Sequence, residues 1–240
     1  MKAELPVTLV IPCHNSSETL EEVIDAALGE GFHEIICINN NSQDDTLEKL
    51  EKLPVLIVDE KVQGTIWARR AGVACAETEW IALIDDDIIL HPGWSESMRD
   101  FISQYAPDAS AITGYVDTPL PNALHWAKTI LACNCSTSTQ EYHLWAQPLG
   151  SSTLIKRDAF LKHSQKPSLI GRDDVNGTLR GCGEDIEVFR KILRAGGRVF
   201  HNSEAKATHR VEDWRKDESY LRKLQLAYSS PGYVARYWGI

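Results

Sequence analysis

The stretch Trp80-Ile81-Ala82-Leu83-Ile84-Asp85-Asp86-Asp87 passes from five apolar residues straight into three carboxylates. An apolar run with no polar alternation predicts a strand buried on both faces, as in a parallel sheet. Adjacent carboxylates repel one another, so a fold that gathers them beside such a strand usually holds a cation there. Oxygen-only ligands suit a hard ion, Mg2+ or Mn2+, which keeps waters and takes a substrate's phosphates as well. The competing reading is an acidic turn that merely caps the next helix.

Upstream, the same alternation repeats about every 25 residues without any sequence repeat. Val7 to Ile11 predicts a first strand, and Ser16 or Ser17 an N-cap for a helix that buries Leu20, Val23, Ile24, Ala27 and Leu28. Strand Glu34 to Ile38 follows, with a short helix using Leu47 and Leu50 and stopped by Pro54. Next come strand Val55 to Val58 and a helix through Trp67, Ala68, Ala71 and Ala74. Four βα steps predict a Rossmann-like half. Its polar segments, Pro12 to Asn15, Asn39 to Ser42, Asp59 to Gly64 and Asp85 to Asp87, each follow a strand's C-terminal end. That is the edge where open α/β sheets bind ligands.

Beyond Asp87, Trp94, Met98, Phe101, Ile102 and Tyr105 suit an amphipathic helix, and Ala109 to Val116 a strand. Pro119 to Gly150 carries weak signals: Trp126, Ile130 and Leu131 mark a helix, and Cys135 to Gln140 a mobile loop. A short strand ends at Leu154-Ile155, Arg157 starts a turn of helix, and Pro167 to Arg180 reads as a flexible loop. Gly181-Cys182-Gly183 then precedes a helix from Glu184 to Ala195 with Ile186, Phe189 and Leu193 inward. No linker divides the chain. We read residues 1–240 as one α/β domain with a donor-binding half (1–116), a less regular half (117–209) and a C-terminal helical tail (210–240).

Glu184-Asp185 opens its helix, where a carboxylate stays ionised and can accept a proton; an ordinary acidic cap is the plain alternative. Arg190, on the same helix, can pair with a carboxylate or phosphate, or form an exposed ion pair. His209, after a strand Ala205 to Thr208, is a candidate metal or diphosphate ligand, against the commoner structural histidine. No Gly-x-Ser-x-Gly elbow, Walker loop or Gly-x-Gly-x-x-Gly after the first strand is present, which excludes serine hydrolases, P-loop ATPases and ordinary dinucleotide dehydrogenases.

With 240 residues, 43% hydrophobic, and a net charge of −9, the chain has the composition of a globular protein and a balance that argues against general nucleic-acid binding. No apolar run approaches a membrane span, and Val7 to Ile11 is too short for a secretory signal. We therefore expect a cytoplasmic protein with reduced cysteines, Cys13, Cys37 and Cys75 in the core, and Cys133-Asn-Cys135 in coil or core rather than on zinc. The sequons at Asn15, Asn40, Asn134 and Asn176 are read as chance matches.

Taken in order, these blocks resemble the family-two glycosyltransferases, which have the GT-A fold. Val10-Ile11-Pro12-Cys13-His14-Asn15 is similar to the family's first strand end, and Asn39-Asn40-Asn41-Ser42 to its Asp-Asp/Asn-x-Ser loop. Gly64 through Ala68-Arg69 and Gly72 resembles its Gly-x-x-x-Ala-Arg-Asn-x-Gly stretch, and Asp85-Asp86-Asp87 its Asp-x-Asp signature. Gly150-Ser151-Ser152, Lys156 to Phe160, and Gly183-Glu184-Asp185 with Arg190 and Gly196-Gly197 resemble its later blocks.

The resemblance implies a GT-A-type, mostly parallel sheet flanked by helices, with a less regular acceptor half. It implies sugar transfer from a nucleotide diphosphate donor to an acceptor hydroxyl, with inversion and Mg2+ or Mn2+ as cofactor. Pro12, His14, Asn15, Asn40, Glu60, Gly64, Arg69, Asp85 and Asp86 would line the nucleotide pocket. Asp87, with Asp85 and His209, would hold the metal; Asp185 would be the base, with Glu184 beside it. The family often has aspartate where Asn39 and Asn40 stand, which leaves the base open, and commonly Asn where Arg70 stands. The Gln-x-x-Arg-Trp motif of processive members is missing, so single addition is expected. The acceptor is expected to be a glycan or a lipid-linked sugar.

Residues 206–240 hold seven Lys/Arg against four Asp/Glu, with Trp214, Tyr220, Tyr228, Tyr233, Tyr237 and Trp238. We expect these rings to pack on the domain; the other reading is peripheral contact with an anionic membrane at its inner face. Two other functions stay open at this point: a catalytically inactive nucleotide-sugar-binding module, and a sugar-phosphate nucleotidyltransferase, which would want a Gly-rich, Arg-containing loop that Pro12 to Ser17 lacks.

Overall fold

The structure is a computed structural model that describes residues 6–128, 131, 134–144, 148, 150–167 and 183–228. Strands β1 (Val7–Cys13), β2 (Glu34–Asn39), β3 (Leu56–Asp59) and β4 (Trp80–Ile84) form a parallel block in the order β3-β2-β1-β4. The apolar runs of β1, β2 and β4 are buried on both faces, whereas β3, at the end of the sheet, is half-exposed, with Leu56 open to solvent. Helices α1 (Leu20–Leu28) and α4 (Trp94–Gln104) cover one face, where Leu20, Val23, Ile24, Trp94 and Met98 pack on Leu9 and Ile11. Helices α3 (Thr65–Cys75), α5 (Arg157–His163) and α6 (Glu184–Arg194) cover the other, where Ile66, Val73, Phe160, Val188 and Phe189 meet Val10, Ile36 and Leu83. The short helix α2 (Thr46–Leu50) lies between β2 and β3 and buries Leu50.

One sheet continues past β4. Strand β8 (Ser152–Lys156) pairs antiparallel with it, followed by β6 (Ala109–Asp117), β9 (Arg198–His209) and β5 (Ile88–Leu90), and β7 (Gln140–Glu141) adds to β9. This is the expected α/β architecture with a parallel block flanked by helices. The β6–β9 pair is parallel but shifts register between Gly114 and Tyr115. A Cβ at Gly114 would stand 2.7 Å from the Ala205 carbonyl oxygen, so only glycine lets the strands meet there.

Several elements differ from the sequence reading. Helix α1 starts at Leu20, after Thr19, because the Ser16 hydroxyl is turned to Asp86 instead of capping a helix. On α3 the buried face is Ile66, Ala68, Arg69, Gly72 and Val73, with Ala74 exposed and Trp67 and Ala71 half-buried. Strand β5 was unforeseen, and β9 starts at Arg198, not Ala205. Tyr105 is exposed, and so is Cys75, while Cys13 and Cys37 are buried as expected. Gln140, expected in a loop, belongs to β7. Tyr220 and Leu221 pack with Ala127, Leu131 and Val211 in a third cluster, but Trp214 is 58% exposed. Ile130, Cys133, residues 168–182 and the rings of Tyr233, Tyr237 and Trp238 lie outside the described residues. Among those described, no helix is long and apolar enough to cross a membrane.

Candidate active site

Strand register gathers the site. Parallel pairing puts the ends of β1, β2, β3 and β4 at one sheet edge, so the loops after Cys13, Asn39, Asp59 and Ile84 are neighbours. Ser152 pairs with Ile84, which brings Gly150 and Ser151 beside Asp85. His209 pairs with Ile88, which brings it to Asp87. Residues more than 60 positions apart in sequence are thereby placed around the carboxylate triad.

Each aspartate of the triad faces a different partner. Asp85 Oδ1 accepts from Arg69 Nη2 at 2.5 Å, and Arg69 Nη1 donates to Glu184 Oε1 at 3.0 Å. Arg69 is buried and joins the triad to the head of α6. Its position follows from Gly72 one turn later: a Cβ there would lie 2.5 Å from Ile38 Cδ1 and 2.6 Å from Val10 Cγ1, so glycine lets α3 lie close on the sheet. Asp86 accepts from the Ser16 hydroxyl and from the His14 N–H at 3.2 Å, which points it toward the β1 loop. Asp87 Oδ2 meets His209 Nε2 at 2.9 Å and Arg215 Nη1 at 2.8 Å.

Asp185 sits at the start of α6, and its Oδ2 accepts the Gly150 N–H at 2.6 Å. A Cβ at residue 150 would stand 2.6 Å from Asp185 Cβ and 2.9 Å from Oδ2, so glycine is what allows this approach. An apolar cleft lined by Ile66, Leu83, Phe160 and Val188 lies beside Asp185 and Arg69.

The loops on the other side of the triad are tied to one another. Asn40 Nδ2 donates to the carbonyls of Glu60 and Val62, both at 2.8 Å, and its Oδ1 accepts the Gly64 N–H at 2.9 Å. The amide of Asn40 thus braces the Glu60 to Gly64 loop, and Gly64 begins α3 with φ 131°. Glu60 Oε1 accepts the Val62 N–H within the same loop. Asn39 donates to Asp59 at 2.8 Å. His14 Nδ1 lies 2.8 Å from the Asn40 carbonyl, and Asn15, at φ 53°, accepts the Gln43 N–H. Pro12 is buried in β1 between these loops. Arg70 reaches away from the edge and donates to Ser164 Oγ at 2.7 Å and the Leu161 carbonyl, clamping α5.

Burial governs the charges. It pushes Asp86 up to about 7, with Asp87 adding repulsion. It also pushes Glu184 up to about 7 against the pull of Arg69, and raises Asp185. Ionisation at the head of α6 is thus less favourable than the helix N-terminus alone predicts. Asp87 goes the other way: burial would raise it, but the charges of His209 and Arg215 hold it below the usual carboxylate range. Burial would lower His209, yet Asp87 raises it; with Nδ1 at 2.7 Å from the Leu131 carbonyl, both ring nitrogens have acceptors.

Among the described residues, no three His, Cys, Asp or Glu side chains converge as a ready ligand set. Asp85 Oδ2 and Asp87 Oδ1 nevertheless accept no hydrogen bond from the described residues, leaving one hard oxygen on each, with the His209 imidazole beside them. Two such oxygens fit a divalent ion that fills its other positions with water and phosphate. Two participants escaped the sequence reading. The Gly150 N–H lay in a quoted block but carried no side-chain signal, and Arg215 stands in a segment with no motif.

Comparison with known proteins agrees with this architecture. The sequence model of glycosyl transferase family 2 matches residues 8–163. The chain is 24% identical over 233 residues to a glucosyl-dolichyl phosphate glucuronosyltransferase of Haloferax volcanii, covering 89% of this chain and 70% of that protein. It is 32% identical over 199 residues to an uncharacterized glycosyltransferase of Mycobacterium tuberculosis, covering 80% and 81%. Other relatives are longer: the chain spans 61% of the glycosyltransferase AglE of Haloferax volcanii. Glucosyl-3-phosphoglycerate synthase from Mycobacterium tuberculosis, solved with Mg2+ and uridine diphosphate, superposes with a TM-score of 0.62 at 16% identity, over 100% of this chain and 81% of that one. Staphylococcus aureus TarS 1-349 with UDP superposes with a TM-score of 0.62 at 11% identity, over 98% and 72%. At such identities the superpositions speak to the fold, which is the GT-A fold. With the sequence match spanning well over half of its length, the chain belongs to glycosyl transferase family 2.

Proposed function

We propose that this glycosyltransferase moves a sugar from a nucleotide diphosphate donor to an acceptor hydroxyl with inversion at the anomeric carbon, using Mg2+ or Mn2+. Asp85 and Asp87 would hold the ion, and His209, whose ring nitrogens face Asp87 and the Leu131 carbonyl, would join them only after Nε2 gives up its proton and its Asp87 contact. Asp185 would act as the general base, with Glu184 positioning Arg69. The observation that carries this reading is the seating of Asp185 on the Gly150 N–H, joined through Arg69 and Glu184 to the triad.

The ion, when bound, supplies positive charge against the charge that builds on the departing diphosphate. Everything else falls to the chain. The Gly150 N–H fixes the orientation of Asp185, and burial raises its proton affinity, so it can take the acceptor's proton and hold it during turnover. Arg69 spans between Asp85 and Glu184, so the base and the triad stand on either side of one guanidinium. That separation suits attack opposite to the leaving group. The Asn40-braced loops, with Pro12, His14, Asn15, Glu60, Gly64 and Asp86, would receive the nucleotide. Residues 1–116 are read as the donor half and 117–209 as the acceptor half. The name of the Haloferax relative supports a lipid-linked acceptor, and with it a cytoplasmic protein that meets the inner membrane face peripherally; a soluble glycan is the alternative acceptor.

The test is release of nucleotide diphosphate from a panel of nucleotide sugars with Mn2+ and candidate acceptors. Asp185→Asn is expected to lose about 10^2-fold or more in kcat while still binding donor. Asp87→Ala is expected to lose donor binding as well. The wild-type rate should fall on the acid side at a pH above the ordinary carboxylate range, because burial raises Asp185. Full activity of Asp185→Asn, or metal-dependent binding without turnover in any mixture, would sink the proposal.

A further inference from the structure

Arg215 lies in the single 3-10 turn Asp213–Lys216 that follows β9. It is 8% exposed, and its Nη1 donates to the same Asp87 oxygen that His209 Nε2 meets. Its Nε is buried without a hydrogen-bond partner, and among the described residues Asp87 is its one acidic partner. A guanidinium presents five donors in a planar fork and commonly grips a carboxylate or phosphate through two of them. Here Arg215 and the His209 ring share one carboxylate oxygen, while the guanidinium keeps its Nε unused beside Asp87. That unspent donor can take a second anion.

The turn is lightly held. Trp214 is 58% exposed and rests on Tyr220 with ring centroids 5.0 Å apart. Asp213 pairs with Lys216 at 3.0 Å with its carboxylate fully exposed. A guanidinium carried on such a turn can change partners without unpacking the sheet.

We propose that Arg215 is a diphosphate-binding residue that occupies Asp87 while no donor is present and turns to the donor's phosphate oxygens when a divalent ion takes Asp87. The inference rests on the donor reading above. It makes Arg215 and the ion competitors for one carboxylate, so the ion alone binds weakly and the ion with nucleotide binds well. The two events are coupled, and the coupling passes through this one side chain.

Two binding measurements test this without turnover. Mn2+ alone is titrated by electron paramagnetic resonance of the free ion, and UDP at saturating Mn2+ by calorimetry. Arg215→Gln is expected to bind Mn2+ alone more tightly, because Asp87 is released, and UDP about tenfold more weakly, because charge-assisted bonds to phosphate are lost. Arg215→Lys keeps the charge on Asp87 but loses the fork, so its Mn2+ affinity should stay near wild type while UDP weakens. Melting curves establish that the variants fold, and Arg215→Lys decides if Arg215→Gln does not. UDP bound equally by wild type and variants, or both affinities moving in one direction in Arg215→Gln, overturns the proposal. UDP bound by neither overturns the donor reading together with it.

Discussion

At position 150 one hydrogen atom in place of a methyl group decides where the Asp185 carboxylate, the proposed base, points. The Gly150 N–H reaches Asp185 at 2.6 Å, and a Cβ would stand 2.6 Å from that residue's own Cβ. Gly150→Ala is thus expected to push Asp185 off its donor and to lower kcat by about tenfold or more, the scale of a misplaced catalytic group. Donor affinity should change little, since the triad is untouched; steady-state kinetics alongside a donor titration checks the split. The sequence marked Asp185 by its place behind a Gly-x-Gly loop. It gave Gly150 only as part of a block and no hint of its contact with Asp185, because a backbone N–H leaves no chemical signature in the residue that carries it. Asn40 illustrates the opposite case: its type suggested base recognition, and its amide is engaged by the Glu60 to Gly64 loop.

Among the elements, α3 sets how the Asp85 end of the sheet meets the head of α6. Gly72 lets it lie against Val10 and Ile38, and Arg69 projects one turn earlier on the same buried face. Gly72→Ala should lift the helix from the sheet and destabilise the protein by about 1–3 kcal/mol, the usual cost of overpacking. Urea denaturation followed by circular dichroism measures it, and the loss should exceed that of Ala74→Val on the exposed face. Strands β1 to β4 were legible from their unbroken apolar runs, β6 from its own, and α4 and α6 from helical spacing. Strand β9 was half-read because its first part buries His201, Asn202 and Ser203, polar residues that look like loop in a sequence. Strand β5 was missed because three residues directly after a triad of aspartates give no periodicity to read.

Over the whole molecule, Arg69 is the strut between two regions far apart in sequence, pairing Asp85 with Glu184 from a buried position. Arg69→Gln should cost about 3–5 kcal/mol, as when one partner of a buried ion pair is removed. The sign of its pH dependence is fixed. Glu184 stands at about 7 even with Arg69 lowering it, so without Arg69 it rises further. A raised folded-state value gives stability that is present at low pH and lost as the pH climbs through that value. The deficit of Arg69→Gln should therefore be larger at pH 8 than at pH 5, which denaturation at both values checks. The family match ends at residue 163, yet Glu184, His209 and Arg215 close the site from beyond that point. Anyone grafting the part of this chain beyond residue 163 onto a sister enzyme must transplant matched ends of that strut. A chimera that mismatches Arg69 with its new neighbour would inherit both halves of the machinery and no shared alignment.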